Sequence, residues 1–459
     1  MPTASPAAPA PPVALVVLAA GQGSRMRSDL PKVLHPVAHA PLLHHALTAG
    51  AALAPDRVIV VAGHGGDVVE RAARDWGEDV RVVRQAEQKG TAHAVARAAP
   101  ELEGFAGDAL VLYGDTPFIR AETLEAMRDA RAGGAGIVVL GFEAADPGRY
   151  GRLITEGDRL ERIVEFKDAT EAERLIRLCN SGVMMAEAAT LLRLIRGVTA
   201  DNAAGEYYLT DVPALGAQEG IAATVVTCAE AETLGVNSRA DLAAAEAAFQ
   251  GRARAEALAA GVTMQAPDTV HLAFDTVLGR DVTVEPNVVF GPGVTVETGA
   301  TIRAFSHLDG CHVSEGCTVG PYARLRPGAE LDRDVRIGNF VEVKAAQVHE
   351  GAKVNHLSYV GDAVVGARAN LGAGTITCNY DGVFKHRTTI GADAFVGSNT
   401  MLVAPVSVGA RAMTASGSVV TEDVPDGAMA VGRAKQVNKP GLAVRLMERL
   451  RAAKARKTN

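Results

Sequence analysis

The stretch VALVVLAAGQGSRM, residues 13–26, decides how the first half of the chain folds. Residues 13–18 are all apolar, which predicts a strand buried on both faces of a sheet. Two glycines then permit a tight turn whose free backbone N–H groups can bind phosphate oxygens. Arg25 and Lys32 can add positive charge to this turn. A dinucleotide fingerprint is excluded because Met26 stands where its third glycine belongs. The stretch predicts a seat for a nucleoside triphosphate, or else a simple strand-to-helix turn.

Composition narrows the class of protein. A chain of 459 residues is too long for one core, so two or three domains are expected. The formal charge of −7 gives no reason to expect a nucleic-acid partner. Five cysteines without a C-x-x-C pair indicate reduced thiols in a cytoplasmic protein. The Pro/Ala-rich residues 1–12 are predicted to be disordered, and the apolar run after them is too short for a membrane anchor and lacks the flanks of a signal peptide.

Apolar runs recur along the first half, with helical patterns between several of them. This alternation predicts an α/β domain with a mostly parallel sheet. Ligands of such sheets bind beyond the carboxyl ends of the strands, where the glycine loop lies. The predicted strands are residues 13–18, 58–61, 80–83, 109–112 and 137–140, and the helical patterns include residues 42–53 and 92–99.

Polar residues that packing does not demand follow two of these strands. In residues 85–93, QAEQKGTAH, a glutamine amide can read a base edge with both a donor and an acceptor. In residues 113–117, YGDTP, an aspartate at a strand end can hold Mg²⁺ against phosphates, or it can cap the next helix. Further polar stretches are residues 150–152, 165–168, 180–182 and 205–211.

The period changes after an Ala-rich predicted helix, residues 239–262. Apolar residues then recur six positions apart, with occasional shifts of five, from Val284 to Leu371 and again from Ile390 to Val408, often followed by glycine. This is the hexapeptide pattern of a parallel β-helix, in which each short strand sends one apolar residue into a narrow core. A break at residues 375–387 predicts a loop that leaves the coil. The basic tail, residues 441–459, is predicted to be either a helix or disordered.

On these residues the chain resembles two enzyme families. Residues 18–32, 85–93 and 113–115 resemble sugar-1-phosphate nucleotidyltransferases, and the hexapeptide half resembles acyltransferases built on a left-handed β-helix. Together, over about residues 13–440, they resemble the bifunctional bacterial enzymes that make UDP-N-acetylglucosamine. The resemblance implies acetyl-CoA-dependent acetylation of glucosamine-1-phosphate, then Mg²⁺-dependent uridylyl transfer from UTP. It further implies a homotrimer with the acetyl site between chains.

The implied organisation is a Rossmann-like α/β nucleotidyltransferase domain at residues 13–238, a linker helix at 239–262 and a left-handed parallel β-helix at 263–440. The resemblance assigns the residues of the first site to UTP, the sugar phosphate and the metal. UTP and sugar phosphate would contact Leu18, Ala19, Ala20, Gly21, Arg25, Lys32, Gln85, Gly90, Thr91, Tyr113, Gly114, Asp115, Gly151, Glu165, Asn180 and Asn237. Asp115 and Asn237 would bind Mg²⁺.

The resemblance also assigns an acetyl-transfer site with His356 as the base. The amino-sugar phosphate would contact Arg326, Lys344, Tyr359 and Asn370. Acetyl-CoA would contact Ala373, Asn379, Tyr380, Ser398, Ser416 and Arg433. Ser416 departs from the family, which most often has alanine there, but serine is small enough to keep the contact.

The residue types suit the two reactions. Uridylyl transfer needs positioning and charge neutralisation more than covalent help. A histidine, with an ordinary pKa of about 6.5, can take the proton of an attacking amine near neutral pH. His356 alone would more simply be a surface residue, but Arg326, Lys344 and Tyr359 at comparable coil positions favour catalysis.

Two other interpretations stay open on sequence grounds. One is a nucleotidyltransferase for another sugar whose β-helix only mediates assembly or regulation. The other is a non-catalytic scaffold or exchange-factor subunit of the same two folds, which would not need Asp115, Lys32 and Arg25, although all three are present. Cys311 and Cys317 are expected to be structural, whereas Cys378 could be an accessible thiol beside the acetyl-CoA loop. His307, His312 and His349 are expected to be surface residues.

Overall fold

A computed structural model describes residues 11–458 of the chain, so most of the predicted tail at residues 1–12 lies outside the described residues. The chain forms two compact units. The first holds the chain up to Ala255 together with Leu272–Phe274, and the second holds Glu256–His271 and the chain from Asp275 onward.

The first unit is built on a nine-stranded sheet with the order β5-β4-β1-β6-β10-β7-β11-β9-β8. A separate two-stranded ladder joins β2 and β3. The strands are β1 Val13–Ala19, β2 Pro36–Val37, β3 Ala40–Pro41, β4 Arg57–Ala62, β5 Arg81–Arg84, β6 Asp108–Tyr113, β7 Ile137–Glu143, β8 Arg152–Glu156, β9 Arg159–Val164, β10 Leu178–Glu187 and β11 Ala223–Cys228.

The sheet is mixed rather than parallel throughout. Strands β5, β4, β1 and β6 pair in parallel, and so do β7 and β11. Strand β10 lies antiparallel between β6 and β7, and β8 and β9 form an antiparallel pair. The strands predicted at residues 13–18, 58–61, 80–83 and 109–112 are confirmed as β1, β4, β5 and β6, and the one at 137–140 falls in β7. The glycine loop follows the carboxyl end of β1.

Every residue of β1 is buried, and alternate side chains enter two different cores. Helices cover the sheet because parallel strands need crossover connections. The helices of this unit are α1 Leu42–Ala51, α2 Gly66–Trp76, α3 Thr91–Arg97, α4 Ala99–Leu102, α5 Ala121–Ala132, α6 Glu171–Arg174, α7 Ala188–Ile195 and α8 Val212–Gln218.

A long helix, α9, follows at Arg239–Ala259. Its first turn is capped reciprocally, because the Asp241 backbone N–H donates to Ser238 Oγ and the Asp241 carboxylate accepts from the Ser238 N–H. Ala245 and Phe249 are buried in a core with residues of the first unit. The predicted linker, residues 239–262, is therefore helical over most of its length, and only its middle is buried.

The second unit is a β-helix with three faces, and all its strand pairings are parallel. Its strands are β12 Thr263–Met264, β13 Val277–Leu278, β14 Thr283–Val284, β15 Val289–Phe290, β16 Thr295–Val296, β17 Thr301–Ile302, β18 His307–Leu308, β19 Cys311–Val313, β20 Thr318–Val319, β21 Arg324–Leu325, β22 Ala329–Leu331, β23 Arg336–Asn339, β24 Glu342–Val348, β25 Lys353–His356, β26 Tyr359–Val365, β27 Asn370–Leu371, β28 Ile376–Cys378, β29 Thr388–Ile390, β30 Phe395–Val396, β31 Met401–Val403, β32 Val406–Val408, β33 Met413–Thr414, β34 Val419–Val420 and β35 Met429–Ala430.

The six-residue pattern is confirmed by burial. Each of the predicted inward residues is at most 2% exposed. Face 1 contains β20, β23, β25, β27, β30 and β33, and face 2 contains β21, β28, β31 and the first halves of β24 and β26. Face 3 contains β22, β29, β32 and the second halves of β24 and β26.

The predicted break at residues 375–387 is wrong at its beginning. Ile376–Cys378 is a strand that pairs with β26 and β31, so only residues 379–387 leave the coil. The inward residue there is Thr377, which is fully buried, accepts a hydrogen bond from the Gly361 N–H at 2.8 Å and donates to the Gly361 carbonyl at 3.0 Å. A polar residue thus occupies the core position, which hid the strand from the apolar pattern.

The basic tail contains helix α10, Leu442–Thr458. Leucine, valine and methionine side chains along it are exposed. Within residues 11–458, no helix combines the length and the apolar character that crossing a membrane requires.

Candidate active sites

A cavity of about 330 Å³ opens at the carboxyl ends of β1 and β6 in the first unit. Most residues that the sequence predicted for UTP line it, which brings together three stretches far apart in the chain. The predicted residues that line it are Leu18, Ala20, Gly21, Lys32, Gln85, Gly90, Thr91, Tyr113 and Asp115. Val33 and Ala94 also line it, as do Gln88 and Glu206, which lie in the polar stretches 85–93 and 205–211 but were given no role from the sequence.

Lys32 joins the two predicted metal ligands. Its ammonium forms an ion pair with Asp115 and donates to Asn237 Oδ1 at 3.0 Å. The side chains of Lys32 and Asp115 are only 12% and 18% exposed. Two oxygens from distant parts of the chain therefore converge on one cationic group at the cavity.

Backbone contacts hold these groups in place. Lys32 begins a short 3-10 turn whose next residue, Val33, is buried in the core. The Val236 N–H donates to the Asp115 carbonyl at 2.9 Å, which ties the segment before Asn237 to the loop after β6. The Asn237 N–H donates to the Asp241 carboxylate at 3.0 Å, so the cap of α9 also orients Asn237.

The loop before α3 needs glycine at position 90. Gly90 has φ +112°, and a Cβ there would collide with the backbone of Tyr207. The Ala92 N–H donates to the Tyr207 carbonyl at 2.9 Å, and the Tyr207 N–H donates to the Lys89 carbonyl at 2.8 Å. These bonds fix Gly90 and Thr91 at the cavity wall. The close approach of two backbones is possible because glycine lacks a side chain.

The predicted sugar-phosphate residues form a second group at the same end of the sheet. The Asn180 N–H donates to the Gly151 carbonyl at 2.9 Å, and Glu165 accepts from Thr210 at 3.2 Å. Burial raises the pKa of Glu165, and the neighbouring carboxylates of Asp168 and Asp211 act in the same direction. Burial also raises the pKa of Tyr113, which the charge of Glu165 reinforces. Tyr113 therefore connects this group with the cavity.

Two other predicted residues, Arg25 of the glycine loop and Gly114 after β6, are not among the residues that line the cavity. Arg25 is exposed on the turn Ser24–Met26. The Gly114 N–H donates to the Leu18 carbonyl at 2.9 Å and is thus engaged within the protein. Gln88, to which the sequence predictions give no role, donates to the Ala20 carbonyl at 2.5 Å and so stabilises the start of the glycine loop. Its position in QAEQKG, three residues after Gln85, was the available signal.

The two predicted metal ligands, Asp115 and Asn237, suit a cation that takes only one or two ligands from the protein. No group of three or more His, Cys, Asp or Glu side chains within residues 11–458 could hold a metal. Asp115 and Asn237 offer two oxygens aimed at one point, where the Lys32 ammonium lies. Mg²⁺ commonly takes one or two protein oxygens and completes its shell with water and phosphate. The donor set fits such an ion bound together with a nucleotide.

In the β-helix, His356 lies at the corner between faces 1 and 2. Its Nδ1 contacts Asn339 Oδ1 at 2.8 Å, one coil earlier. An amide oxygen only accepts, so His356 carries its proton on Nδ1 and leaves Nε2 as an acceptor. Both residues line a cavity of about 390 Å³ with Arg303 and Arg336. Asn339 was not predicted because nothing in its spacing marks it.

Four of the six predicted acetyl-CoA residues, Ala373, Ser398, Ser416 and Arg433, form a column along this corner. The His356 carbonyl accepts from Gly374, the Ala373 carbonyl from Asn399, and the Ser398 carbonyl from Gly417. Ser416 is exposed beside Gly417, and the Arg433 side chain lies near Gly417. Three coil spacings of ~4.8 Å place Ser416 roughly 14 Å along the axis from His356. The column suits an elongated ligand.

Three of the four predicted amino-sugar phosphate residues, Arg326, Lys344 and Tyr359, lie on face 2. Arg326 Nη1 contacts Glu342 at 2.8 Å, and Lys344 pairs in register with Gly361. A Cβ at Gly361 would collide with the Tyr359 hydroxyl, so the phenol lies across that glycine. Among the described residues, no hydrogen bond or ion pair joins His356 to Arg326 or Lys344.

Lys385, in the loop that leaves the coil, joins this cluster. Its positive charge beside Lys344 lowers the pKa of the Lys344 ammonium, and its Nζ lies 4.0 Å from the Asp362 carboxylate. Three cations therefore gather in one place, which suits a phosphate. Asn379 is 7% exposed and donates to the Tyr359 hydroxyl at 3.4 Å and to Asp362.

The remaining predicted residues are less closely assembled. Tyr380 is 60% exposed in the loop, and Asn370 lies on face 1 beside Lys353 and Phe395. All five cysteines are free. Burial raises the pKa of Cys311 and of Cys317 to about 12, and it raises the pKa of Cys378 too, so an unusually reactive thiol is not supported there.

Large apolar side chains stack on the outside of the same corner. Phe305 and Tyr322 lie 4.9 Å apart between ring centroids, and Tyr322 and Phe340 lie 5.2 Å apart. These rings and Leu357 are about half exposed. This stack of apolar side chains ends at Leu357, the residue after His356.

Known proteins match this chain over its first unit and over nearly its whole length. Residues 15–186 match the MobA-like NTP transferase domain. The bifunctional protein GlmU of Cereibacter sphaeroides (strain ATCC 17025 / ATH 2.4.3) is 69% identical over 97% of this chain and 98% of its own length. The bifunctional protein GlmU of Jannaschia sp. (strain CCS1) is 65% identical, with the same coverage.

Among solved structures, UDP-glucose pyrophosphorylase complexed with UDP-glucose matches with a TM-score of 0.44 and 18% identity. The match covers 52% of this chain and 99% of that chain.

Proposed function

This chain belongs to the family of the bifunctional protein GlmU and is a uridylyltransferase and acetyltransferase, and we propose that its two sites are those built around Lys32 and His356. The substrates are glucosamine-1-phosphate, acetyl-CoA and UTP. The observation that carries the proposal is the convergence of Asp115 and Asn237 on the Lys32 ammonium at the cavity. We further propose functional boundaries at residues 13–238 and 263–440, joined by the helix in 239–262.

For uridylyl transfer, the sugar phosphate oxygen attacks the α-phosphorus of UTP, and pyrophosphate leaves. Lys32 neutralises charge that builds on the phosphates, and Arg25 does the same for the leaving pyrophosphate. Gln85, Gly90 and Thr91 hold the uracil. Gly151, Glu165 and Asn180 hold the sugar, with Tyr113 and Gly114 between the two substrates.

We assign Asp115 and Asn237 as the residues that hold Mg²⁺. A nucleotidyltransferase implies a metal, and two oxygens aimed at one cation support this pair. Bound there with the triphosphate, Mg²⁺ would supply charge neutralisation. Lys32, which now joins both oxygens, would then turn its ammonium toward phosphate oxygens.

For acetyl transfer, His356 Nε2 removes a proton from the amine as the nitrogen attacks the thioester carbonyl. The C–N bond forms, the C–S bond breaks, and the CoA thiolate takes a proton. The hydrogen bond from His356 Nδ1 to Asn339 supports the tautomer that this step needs. Arg326, Lys344 and Tyr359 hold the sugar phosphate beside Asn370. The column from Ala373 through Ser398 and Ser416 to Arg433 holds acetyl-CoA, with Asn379 and Tyr380 at the loop.

We also propose that the protein is a cytoplasmic homotrimer whose acetyl site lies between chains. The half-exposed rings of Phe305, Tyr322 and Phe340 support an assembly that covers them. Light scattering after size exclusion should give three times 47.6 kDa. A monomeric mass with full acetyl activity would remove the trimer from the proposal.

Two substitutions test the assignment of the sites. His356→Ala should abolish CoA thiol release that depends on glucosamine-1-phosphate and leave pyrophosphate release from UTP unchanged. Asp115→Ala should do the reverse. Equal loss of both reactions in either variant would contradict two independent sites, and normal metal-dependent uridylyl transfer in Asp115→Ala would contradict the metal assignment.

A further inference from the structure

Gln85 makes two contacts through one amide nitrogen. Its Nε2 donates to the Gly90 carbonyl at 3.1 Å and lies 2.9 Å from His93 Nδ1. The Gly90 oxygen can only accept, so the nitrogen of the amide, not its oxygen, must face it. The second amide hydrogen is then available for His93 Nδ1, provided that this ring nitrogen is an acceptor.

The surroundings of His93 favour its neutral form. Burial and the charges of Arg97 and Lys89 lower the pKa of His93, while Glu87 acts in the opposite direction. The Tyr207 ring lies against it, with 6.5 Å between centroids. A neutral imidazole with its proton on Nε2 accepts at Nδ1, so both hydrogens of the Gln85 amide are engaged.

Only the Gln85 carbonyl oxygen remains for a ligand. Gln85 is 4% exposed, lines the cavity at the end of β1, and no hydrogen bond within residues 11–458 reaches its Oε1. A rotation that exchanged the amide oxygen and nitrogen would set one acceptor against two others. The acceptor oxygen of Gln85, and not its amide nitrogen, therefore faces any base that enters the cavity.

We propose that His93 is a positioning residue that sets the base specificity of uridylyl transfer by fixing the orientation of the Gln85 amide. This rests on the proposed function, in which Gln85 meets the base. Uracil presents a ring N–H to such an oxygen, whereas cytosine presents a ring nitrogen that only accepts. A fixed acceptor thus favours UTP over CTP, because the wrong base leaves two acceptors facing each other.

The test compares kcat/KM for UTP and CTP in the full-length protein and in single variants. His93→Leu removes the acceptor and should lower the UTP-to-CTP ratio about tenfold, the effect of losing one such hydrogen bond. His93→Asn places an amide oxygen near the position of Nδ1 and should restore most of the ratio. His44→Leu is the matched control, since His44 also loses a hydrogen bond, to the Ala72 carbonyl, but lies on α1.

A pH series gives a second readout. Protonation of His93, which Lys89 and Arg97 oppose and Glu87 favours, replaces its acceptor with a donor. The UTP-to-CTP ratio of the unaltered protein should therefore fall on acidification, and the ratio of His93→Asn should not. Thermal denaturation of the first unit in the same samples checks that each variant is folded.

The outcomes separate the inference from the proposed function. If Gln85→Leu removes the preference for UTP but His93→Leu leaves the ratio unchanged, the role of His93 is wrong and the base site stands. If Gln85→Leu leaves the ratio unchanged, the placement of the base at Gln85 is wrong. If His93→Leu lowers turnover of both nucleotides equally, His93 is only structural and the inference is overturned.

Discussion

Removing the side chain of Asn339 should slow acetyl transfer without affecting uridylyl transfer. Asn339 Oδ1 accepts from His356 Nδ1 at 2.8 Å, and this bond selects the tautomer whose Nε2 is free to take a proton. A hydrogen bond of this kind contributes about 0.5–1.5 kcal/mol, which corresponds to roughly 2- to 13-fold in rate. Because the pair is exposed to solvent, we expect Asn339→Ala to fall in the lower half of that range.

Asn339→Asp should change the pH dependence of acetyl transfer and not its maximal rate. A carboxylate in the same place still accepts from Nδ1, and its charge stabilises the imidazolium form of His356. The acid limb of the pH profile for acetyl transfer should then move to higher pH, while the rate on the plateau is kept. A merely structural role for Asn339 would not shift this limb.

The assay follows CoA thiol release at saturating glucosamine-1-phosphate across a pH series. Pyrophosphate release from UTP in the same preparation is the internal control. Gln347→Ala is the matched variant, because Gln347 is exposed in β24, on face 3 rather than beside His356. Unchanged acetyl transfer in Asn339→Ala, together with an unshifted acid limb in Asn339→Asp, would refute the reasoning.

Two further predictions concern stability. Arg131→Met should lower the melting temperature of the first unit by about 6–20 °C, because it leaves the 2%-exposed Asp108 carboxylate unpaired at a cost of about 3–5 kcal/mol. Arg74→Met, which breaks an exposed pair with Glu70, should cost at most about 1 kcal/mol, and equal shifts in thermal denaturation would contradict the burial argument. Glu165→Gln should raise the melting temperature at neutral pH while it slows uridylyl transfer. Burial raises the pKa of Glu165, so the contribution of this side chain to stability is most favourable in acid and is lost as pH rises. The gain in melting temperature from Glu165→Gln should therefore shrink on acidification, and a gain that grew instead would contradict the prediction.

The repetitive half of the fold was predictable because one period governs it. Every inward position of a coil faces the same narrow core, so the apolar residues from Val284 to Val408 repeat in the sequence as they do in space. The pattern failed at Thr377, where hydrogen bonds to the Gly361 backbone replace apolar packing. A buried threonine with both partners is invisible to a count of apolar residues.

The first site was predictable only in part. The glycine loop, Gln85 and Asp115 follow strands and carry a local signal. Asn237 reaches the cavity because the segment before α9 bonds to the Asp115 backbone, a long-range contact that spacing does not encode. His93 and Asn339 act through the hydrogen bonds of another side chain, so their roles emerge only when distances are known.

The corner that carries residues 379–387 shows how such a coil can change without being rebuilt. Strand β26 pairs with β28 before this loop and with β29 after it, so the ladder continues as if the loop were absent. Chain length at this corner is thus decoupled from the register of the core. The β-helix offers a graft point, where segments of other lengths and chemistries could be displayed, and where a new specificity could arise by insertion while the scaffold keeps its stability.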